Sequence, residues 1–208
     1  MLKGLYAVTP ELADSELLIA KVELALRGGA SIVQYRNKSA PPGQRREQAR
    51  MLSGLCRQFS APLIVNDDVE LAKETGAEGV HLGTSDAKIR DARNFLGANR
   101  MIGASCYNRL DLAGQACREG ADYVAFGSVF ETKNKVNAAA APLSLLAQAK
   151  EKVSVPVVAI GGINLDNAKE VILAGADAVA VISALFDAAD ISAAARCFCR
   201  LFERRAAA

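Results

Sequence analysis

The sequence predicts an α/β fold in which strands and helices alternate and close into a (β/α)8 barrel, a single compact domain over residues 1–208. Two observations carry this expectation. One phrase recurs as Gly29-Ala30-Ser31-Ile32-Val33, Gly76-Ala77-Glu78-Gly79-Val80, Gly120-Ala121-Asp122-Tyr123-Val124 and Gly175-Ala176-Asp177-Ala178-Val179. Each copy ends a helical stretch on a glycine cap and opens a short β-branched run. The copies stand roughly 45 to 55 residues apart, about twice a strand-plus-helix unit, so a second set of strands belongs midway between them.

That second set is present. In chain order, Leu5-Tyr6-Ala7-Val8 leads into an amphipathic stretch from Glu16 to Arg27, and the strand opened at Ile32 leads into Gln44 to Gln58. Leu63-Ile64-Val65-Asn66 and the run after Gly79 follow, then Met101-Ile102-Gly103-Ala104-Ser105 with its helix from Leu110 to Arg118. The run at Tyr123 is separated by a long irregular stretch from the helix Leu143 to Lys152; Val157-Val158-Ala159-Ile160 and the run at Ala178 complete the strands, and Ala193 to Arg204 is the last helix. Eight such units in 208 residues lie at the compact end of the barrel class. A doubly wound open sheet shows the same alternation and differs only in closure, but recurrence on even-numbered strands favours the barrel, whose interior is layered by alternate strands. Residues 203–208, ending in three alanines, are expected to fray.

Hydrophobic residues make up 51% of the chain, with no low-complexity linker, so one sizeable core is expected. The formal net charge is only +2 and the basic residues are spread along helices, which argues against a nucleic-acid or membrane surface and for small-molecule partners. Met1-Leu2-Lys3-Gly4 runs straight into the first strand, so a cytoplasmic location is expected. The five cysteines, Cys56, Cys106, Cys117, Cys197 and Cys199, lack paired C-x-x-C spacing and suggest neither a disulfide framework nor a zinc site. Cys106 differs from the others only in standing beside a strand end. Nothing in the composition fixes an oligomeric state.

In such a barrel, chemistry collects where strands end at the C-terminal rim. After the second strand, Gln34-Tyr35-Arg36-Asn37-Lys38 alternates so that Gln34, Arg36 and Lys38 share a side with Ile32, which suits a phosphate or diphosphate if it is not simply a solvated loop. After the third, Asn66-Asp67-Asp68 reads either as a helix N-cap or as carboxylates sharing a cation. His81-Leu82-Gly83-Thr84-Ser85-Asp86 places Asp86 one unit further round, where it can face Asp67; two carboxylates with phosphate oxygens and water are how magnesium is usually held. His81, the single histidine, suits a hydrogen-bonding role at a strand end better than that of a base. The fifth strand is expected to end at Ser105. The stretch from Ser128 through Glu131-Thr132-Lys133-Asn134-Lys135 to Ala141 has the length of a lid or of a disordered excursion. Gly161-Gly162, with a helix expected directly after them, and Ile182-Ser183 occupy the loops that form the usual phosphate site of these barrels.

In order and spacing these motifs, with Ile102-Gly103-Ala104-Ser105, Ala159-Ile160-Gly161-Gly162-Ile163 and Val181-Ile182-Ser183-Ala184, resemble the thiamine phosphate synthase family over nearly the whole chain. The resemblance implies a (β/α)8 transferase of thiamine biosynthesis. It joins hydroxymethylpyrimidine diphosphate to a thiazole phosphate, or its carboxylate form, giving thiamine phosphate and pyrophosphate with magnesium. Carried over, Gln34, Arg36, Lys38, Asn66, Ser105 and Lys135 bind the pyrimidine diphosphate, with Arg36, Lys38, Ser105 and Lys135 serving the reaction itself. Asp67 and Asp86 hold the magnesium, while Thr132, Asn134, Gly162, Ile182 and Ser183 bind the thiazole phosphate. The implied reaction is dissociative: pyrophosphate departs, a pyrimidine-stabilised carbocation forms, and the thiazole nitrogen captures it. That accords with motifs offering neither a nucleophile nor a strong base.

One segment departs from the family pattern. The sixth loop usually reads Pro-Thr, any residue, Thr or Ser, then Lys; here Glu131 replaces the proline and Asn134 the second hydroxyl residue. Asn134 can still donate to phosphate, whereas Glu131 adds negative charge and is expected to change how the loop closes or how tightly it holds an anion. Phe130-Glu131-Thr132 is also similar to the related thiazole tautomerases, in which a histidine is expected at Ser128 and the cation and Asn-Asp motifs are degraded. A catalytically inactive barrel that binds thiamine precursors is the third reading, and the retained paired carboxylates argue against it.

Overall fold

The computed structural model describes residues 2–131 and 141–206. Eight parallel strands close into a barrel in sequence order: β1 (Gly4–Val8), β2 (Ile32–Tyr35), β3 (Leu63–Asn66), β4 (Gly79–Leu82), β5 (Met101–Tyr107), β6 (Tyr123–Phe126), β7 (Val157–Ile160) and β8 (Ala178–Val181). Closure rests on β1 pairing with β8, with Leu5 opposite Val179 and Ala7 opposite Val181. That pairing excludes the open sheet. Helices α1 (Ser15–Arg27), α2 (Pro42–Gln58), α3 (Val69–Thr75), α4 (Ile89–Leu96), α5 (Leu110–Glu119), α6 (Leu143–Lys152) and α7 (Ala168–Leu173) follow the first seven strands in turn. A short α8 (Ser183–Phe186) and the terminal α9 (Ile191–Ala206) follow the eighth.

The four recurrent glycines have a common backbone reason. Gly29, Gly76, Gly120 and Gly175 take φ of 100°, 69°, 98° and 116°, a conformation that L side chains rarely adopt and that turns each helix end into the next strand. The following alanines, Ala30, Ala77, Ala121 and Ala176, are all buried where strand and helix meet.

Alternation along the strands builds two apolar regions. Leu5, Ala7, Val33, Tyr35, Leu63 and Val65 point outward to the helices, while Tyr6, Val8, Ile32, Ile64, Tyr123, Ala125, Val158, Ala178 and Ala180 fill the barrel. Glycines give this interior its room, and Gly103 makes space for one of its two tyrosines. A Cβ on Gly103 would lie 2.0 Å from the Tyr123 ring, and one on Gly79 would lie 2.3 Å from the Met101 carbonyl oxygen. The Tyr6 and Tyr123 rings meet edge to face, with centroids 6.0 Å apart.

Two expectations are corrected. β5 continues past Ser105 to Tyr107, with a register shift between these two residues that leaves Ser105 opposite Ala125 and Tyr107 opposite Phe126. α7 does not follow Gly162 directly. It begins at Ala168, because Asn164 and Asn167 first build a turn in which the Asn167 amide nitrogen Nδ2 donates to the Gly162 carbonyl at 3.0 Å.

Gly103→Ala is expected to destabilise the fold by about 1–3 kcal/mol, since the Tyr123 ring must move aside inside a packed barrel. Thermal unfolding should register this as a loss of roughly 2–4 °C per kcal/mol.

Candidate active site

The floor of the C-terminal rim is a chain of hydrogen bonds crossing the barrel interior. Gln34 Nε2 donates to Tyr6 Oη at 3.0 Å, the Tyr6 and Tyr123 hydroxyls are 2.8 Å apart, Tyr123 Oη lies 3.0 Å from His81 Nδ1, and His81 Nε2 lies 2.9 Å from Ser105 Oγ. Both tyrosines are essentially sealed from water and His81 is 8% exposed.

Counting protons sets the direction of this chain. Tyr6 oxygen already accepts from Gln34, so its own proton has Tyr123 as acceptor; the Tyr123 proton then goes to His81 Nδ1. A neutral imidazole accepting at Nδ1 carries its proton on Nε2 and donates it to Ser105. The opposite sense would leave the Tyr6 proton without an acceptor. Ser105 therefore accepts from His81, and its own hydroxyl proton is not used within this chain. Burial lowers the His81 pKa to about 4, the opposing pull of Asp67 notwithstanding, so the ring is neutral near pH 7. Burial also pushes the Tyr6 and Tyr123 hydroxyls well above the usual tyrosine value.

Above this floor, β2 and β3 deliver charge. Gln34 faces inward, while Arg36 and Lys38 reach the rim, where Lys38 Nζ lies 2.9 Å from Asp67 Oδ2. The two consecutive aspartates divide the roles that the sequence left open. Asp67 adopts a left-handed φ of 64°, its N–H donating to the His81 carbonyl at 2.8 Å. Asp68 then caps α3, accepting from the Leu71 N–H at 2.9 Å. The backbone strain at Asp67 frees one carboxylate from capping and turns it to the rim.

Asp86 comes from the β4–α4 loop, which wraps back on itself so that Asp86 Oδ2 accepts from the Gly83 N–H at 2.7 Å. Burial is the largest influence on its carboxyl and raises its pKa. Asp67, near enough to share a hydrogen bond, adds to the rise, and the Gly83 N–H and Lys38 only partly offset it. Lys38, Asp67 and Asp86 thus form one cluster with one cation against two carboxylates, and Asn66 stands beside it at the end of β3. Among the described residues no group of three or more His, Cys, Asp or Glu side chains could hold a metal ion.

The opposite arc of the rim is backbone-lined. Gly161 and Gly162 take φ of 104° and 66°, and the segment after β6 crosses over them, with Val129 N–H donating to Ile160 O and Phe130 N–H to Gly161 O, both at 3.1 Å. A Cβ on Gly162 would lie 2.6 Å from the Glu131 carbonyl oxygen, so glycine is required for this approach. Ile182 packs against the interior cluster and Ser183 is the exposed first residue of α8. Among the described residues, no hydrogen bond or ion pair joins Gly162, Ile182 or Ser183 to the Lys38 cluster. Thr132, Asn134 and Lys135 lie outside the described residues. Ser128 Oγ is engaged with Phe130 O at 2.6 Å. Cys106 is buried, and burial pushes its thiol up to about 12, which makes it inert packing rather than a nucleophile.

Sequence reasoning missed Tyr6 and Tyr123. The tyrosines carried a usable signal, since each occupies an inward-facing strand position, where a hydroxyl needs a partner.

A closed parallel barrel with cations and paired carboxylates gathered on its C-terminal rim is the arrangement of a (β/α)8 enzyme, whose site lies at that face. Residues 5–185 match the family model described as thiamine monophosphate synthase. Two relatives, both named thiamine-phosphate synthase, are similar over nearly their whole length. That of Thiobacillus denitrificans is 55% identical over 199 residues, covering 96% of this chain and 94% of its own. That of Methylobacillus flagellatus is 54% identical over 201 residues, covering 97% and 96%. Among solved structures, the thiamine phosphate pyrophosphorylase from Pyrococcus furiosus superposes with a TM-score of 0.86 at 40% identity, covering 97% of this chain and 96% of that one. The chain belongs to the thiamine monophosphate synthase family.

The direction of the interior chain is open to direct measurement. Nitrogen-15 NMR of the single histidine should show a neutral ring protonated at Nε2, unchanged from pH 8 to pH 5. Because the folded pKa lies below the unfolded value, the unfolded chain binds the extra proton. Stability should therefore be full above about pH 6.5 and fall with acid until the folded ring titrates near 4, by roughly 1–2 kcal/mol at pH 5.

Proposed function

We propose that this rim joins hydroxymethylpyrimidine diphosphate to a thiazole phosphate, forming thiamine phosphate and releasing pyrophosphate. The observation that carries the reading is the cluster of Lys38 with Asp67 and Asp86, set beside Asn66 and directly above the floor that ends at Ser105. Membership of the synthase family and the family resemblance of these motifs support it.

In this reading Arg36, Lys38 and, from outside the described residues, Lys135 neutralise the diphosphate, and Gln34, Asn66 and Ser105 hold the pyrimidine end. Ser105 donates upward because His81 donates to it from below. Gly162, Ile182 and Ser183, with Thr132 and Asn134, hold the thiazole phosphate on the opposite arc. The glycines at 161 and 162 let the chain after β6 lie close over this arc, which brings the start of the sixth loop to it.

Magnesium fits the donor set. Two hard carboxylates lie close together, with no third protein ligand from His, Cys, Asp or Glu among the described residues; that suits an ion completed by water and substrate oxygens. Asp67 and Asp86 would hold it, and bound there it supplies positive charge against the leaving diphosphate. The chain's own work is electrostatic and geometric. It stabilises charge on the departing group, holds two substrates in line, and keeps a neutral, hydrogen-bonded floor under a carbocation, with no base offered to divert it. The five free cysteines accord with a cytoplasmic, reducing setting. Among the described residues no helix is long and apolar enough to cross a membrane.

Purified protein given both phosphorylated substrates and magnesium should form thiamine phosphate and pyrophosphate in equal amounts; isomerisation of the thiazole in their place would select the tautomerase reaction. Asp67→Asn and Asp86→Asn should each raise the magnesium needed for half-maximal rate by roughly tenfold or more, and an unchanged magnesium titration would refute the metal assignment. Arg36→Ala should lower kcat/KM by roughly ten- to a hundredfold, about 1.5–3 kcal/mol. An effect below about twofold would place Arg36 outside the pocket.

A further inference from the structure

Glu11 lies between β1 and α1, in a segment that carries none of the substrate residues assigned above. Its carboxylate reaches across to the β2–α2 loop, where Oε1 accepts from Arg36 Nη1 at 2.6 Å and Oε2 accepts from the Ser39 N–H at 3.2 Å. The same segment holds the Arg36 backbone from both sides. Thr9, almost wholly buried, accepts from the Arg36 N–H at 2.9 Å and donates to the Arg36 carbonyl at 3.1 Å. Buried Asn37 donates to the Leu12 carbonyl at 3.0 Å. Arg36 is therefore fixed at its backbone by Thr9 and at its tip by Glu11, and among the described residues its guanidinium has no other partner.

We propose that Glu11 is a positioning residue for diphosphate binding: by holding Arg36 Nη1 and the Ser39 N–H, it presents the remaining guanidinium donors, and the loop carrying Lys38, to the anion. This rests on the assignment of Arg36 to the diphosphate. A free arginine side chain must lose rotamer freedom when it binds, and a guanidinium already held on one edge loses less. The pair is about one-third exposed on each side, 33% and 32%, so it adds little to the stability of the fold, and its purpose lies in orientation. A carboxylate so placed also repels an incoming anion, but the pair is partly exposed and that repulsion is screened by water and salt. Burial alone would raise the Glu11 pKa, but its bonds to Ser39 and the charge of Arg36 outweigh that and hold it below the usual range, so Glu11 is ionised at neutral pH.

The test is calorimetric titration of the intact protein with pyrophosphate in the presence of magnesium, comparing Glu11→Ala, Glu11→Gln, Arg36→Ala and the double Glu11→Ala/Arg36→Ala variant with wild type. Glu11→Ala should weaken pyrophosphate binding about three- to tenfold and raise KM for the pyrimidine diphosphate by a similar factor. KM for the thiazole phosphate and the thermal midpoint should stay unchanged. Glu11→Gln, which keeps an acceptor for Arg36, should remain within about twofold of wild type, and Glu11→Ala should have no further effect once Arg36 is alanine. Tighter or unchanged pyrophosphate binding in Glu11→Ala would overturn the proposal, as would an undiminished effect in the Arg36→Ala background. If Arg36→Ala itself leaves pyrophosphate binding intact, the assignment of Arg36 is what fails and the role of Glu11 falls with it. A loss in Arg36→Ala without one in Glu11→Ala sinks the role of Glu11 alone.

Discussion

The hydrogen-bonded chain from Gln34 through Tyr6, Tyr123 and His81 to Ser105 is the constraint on which the site depends. It buries Gln34, Tyr6, Tyr123 and His81 inside the barrel, so each of them must be satisfied by another protein group. Satisfying them ties β2, β1, β6, β4 and β5 together across the interior. Gly103 exists for this chain, since any side chain there would displace the Tyr123 ring. The chain also fixes the chemistry above it, because a neutral His81 committed on both nitrogens offers the rim a hydroxyl and no general base.

What was legible in the sequence follows from how local each constraint is. The Gly-Ala phrases announced helix ends because a left-handed glycine is a requirement of a single residue, and all four recurrent glycines adopt it. Strand faces were legible by alternation, which put Ile32 and Gln34 on one side and Tyr35 on the other, the sides that the structure turns to the barrel interior and to the helices. The division of labour between Asp67 and Asp68 was not legible, because it depends on a strained backbone at Asp67 held by the carbonyl of His81 on the next strand. The extension of β5 beyond Ser105 was hidden for a similar reason, since a register shift is a property of the pair β5–β6 and not of either strand. Tyr6 and Tyr123 looked like core. Their hydroxyls find each other across 117 residues of chain, and only closure of the barrel brings them together.

The ion pairs of the rim share a pattern that bears on the proposed binding of a diphosphate and a metal. Arg36 is paired with Glu11 from the preceding unit, and Lys38 with Asp67 from the following one. Both pairs are partly exposed, so water and salt screen them and their exchange for a stronger partner costs little. The two pairs differ in what exchange leaves behind. Arg36 can keep Glu11 on one nitrogen while its other donors turn to an anion, because a guanidinium has five donors in a fixed fork. Lys38 is a point charge, and turning it toward a diphosphate would leave Asp67 beside Asp86 without that cation, where burial first and then Asp67 already raise the affinity of Asp86 for a proton. Under the proposed reading, a diphosphate arriving alone would withdraw that lysine from the carboxylates. One arriving with a divalent cation replaces the charge it removes. Under that reading the same three side chains would favour joint entry of anion and metal over entry of either one, with the selectivity coming from charge balance in the cluster.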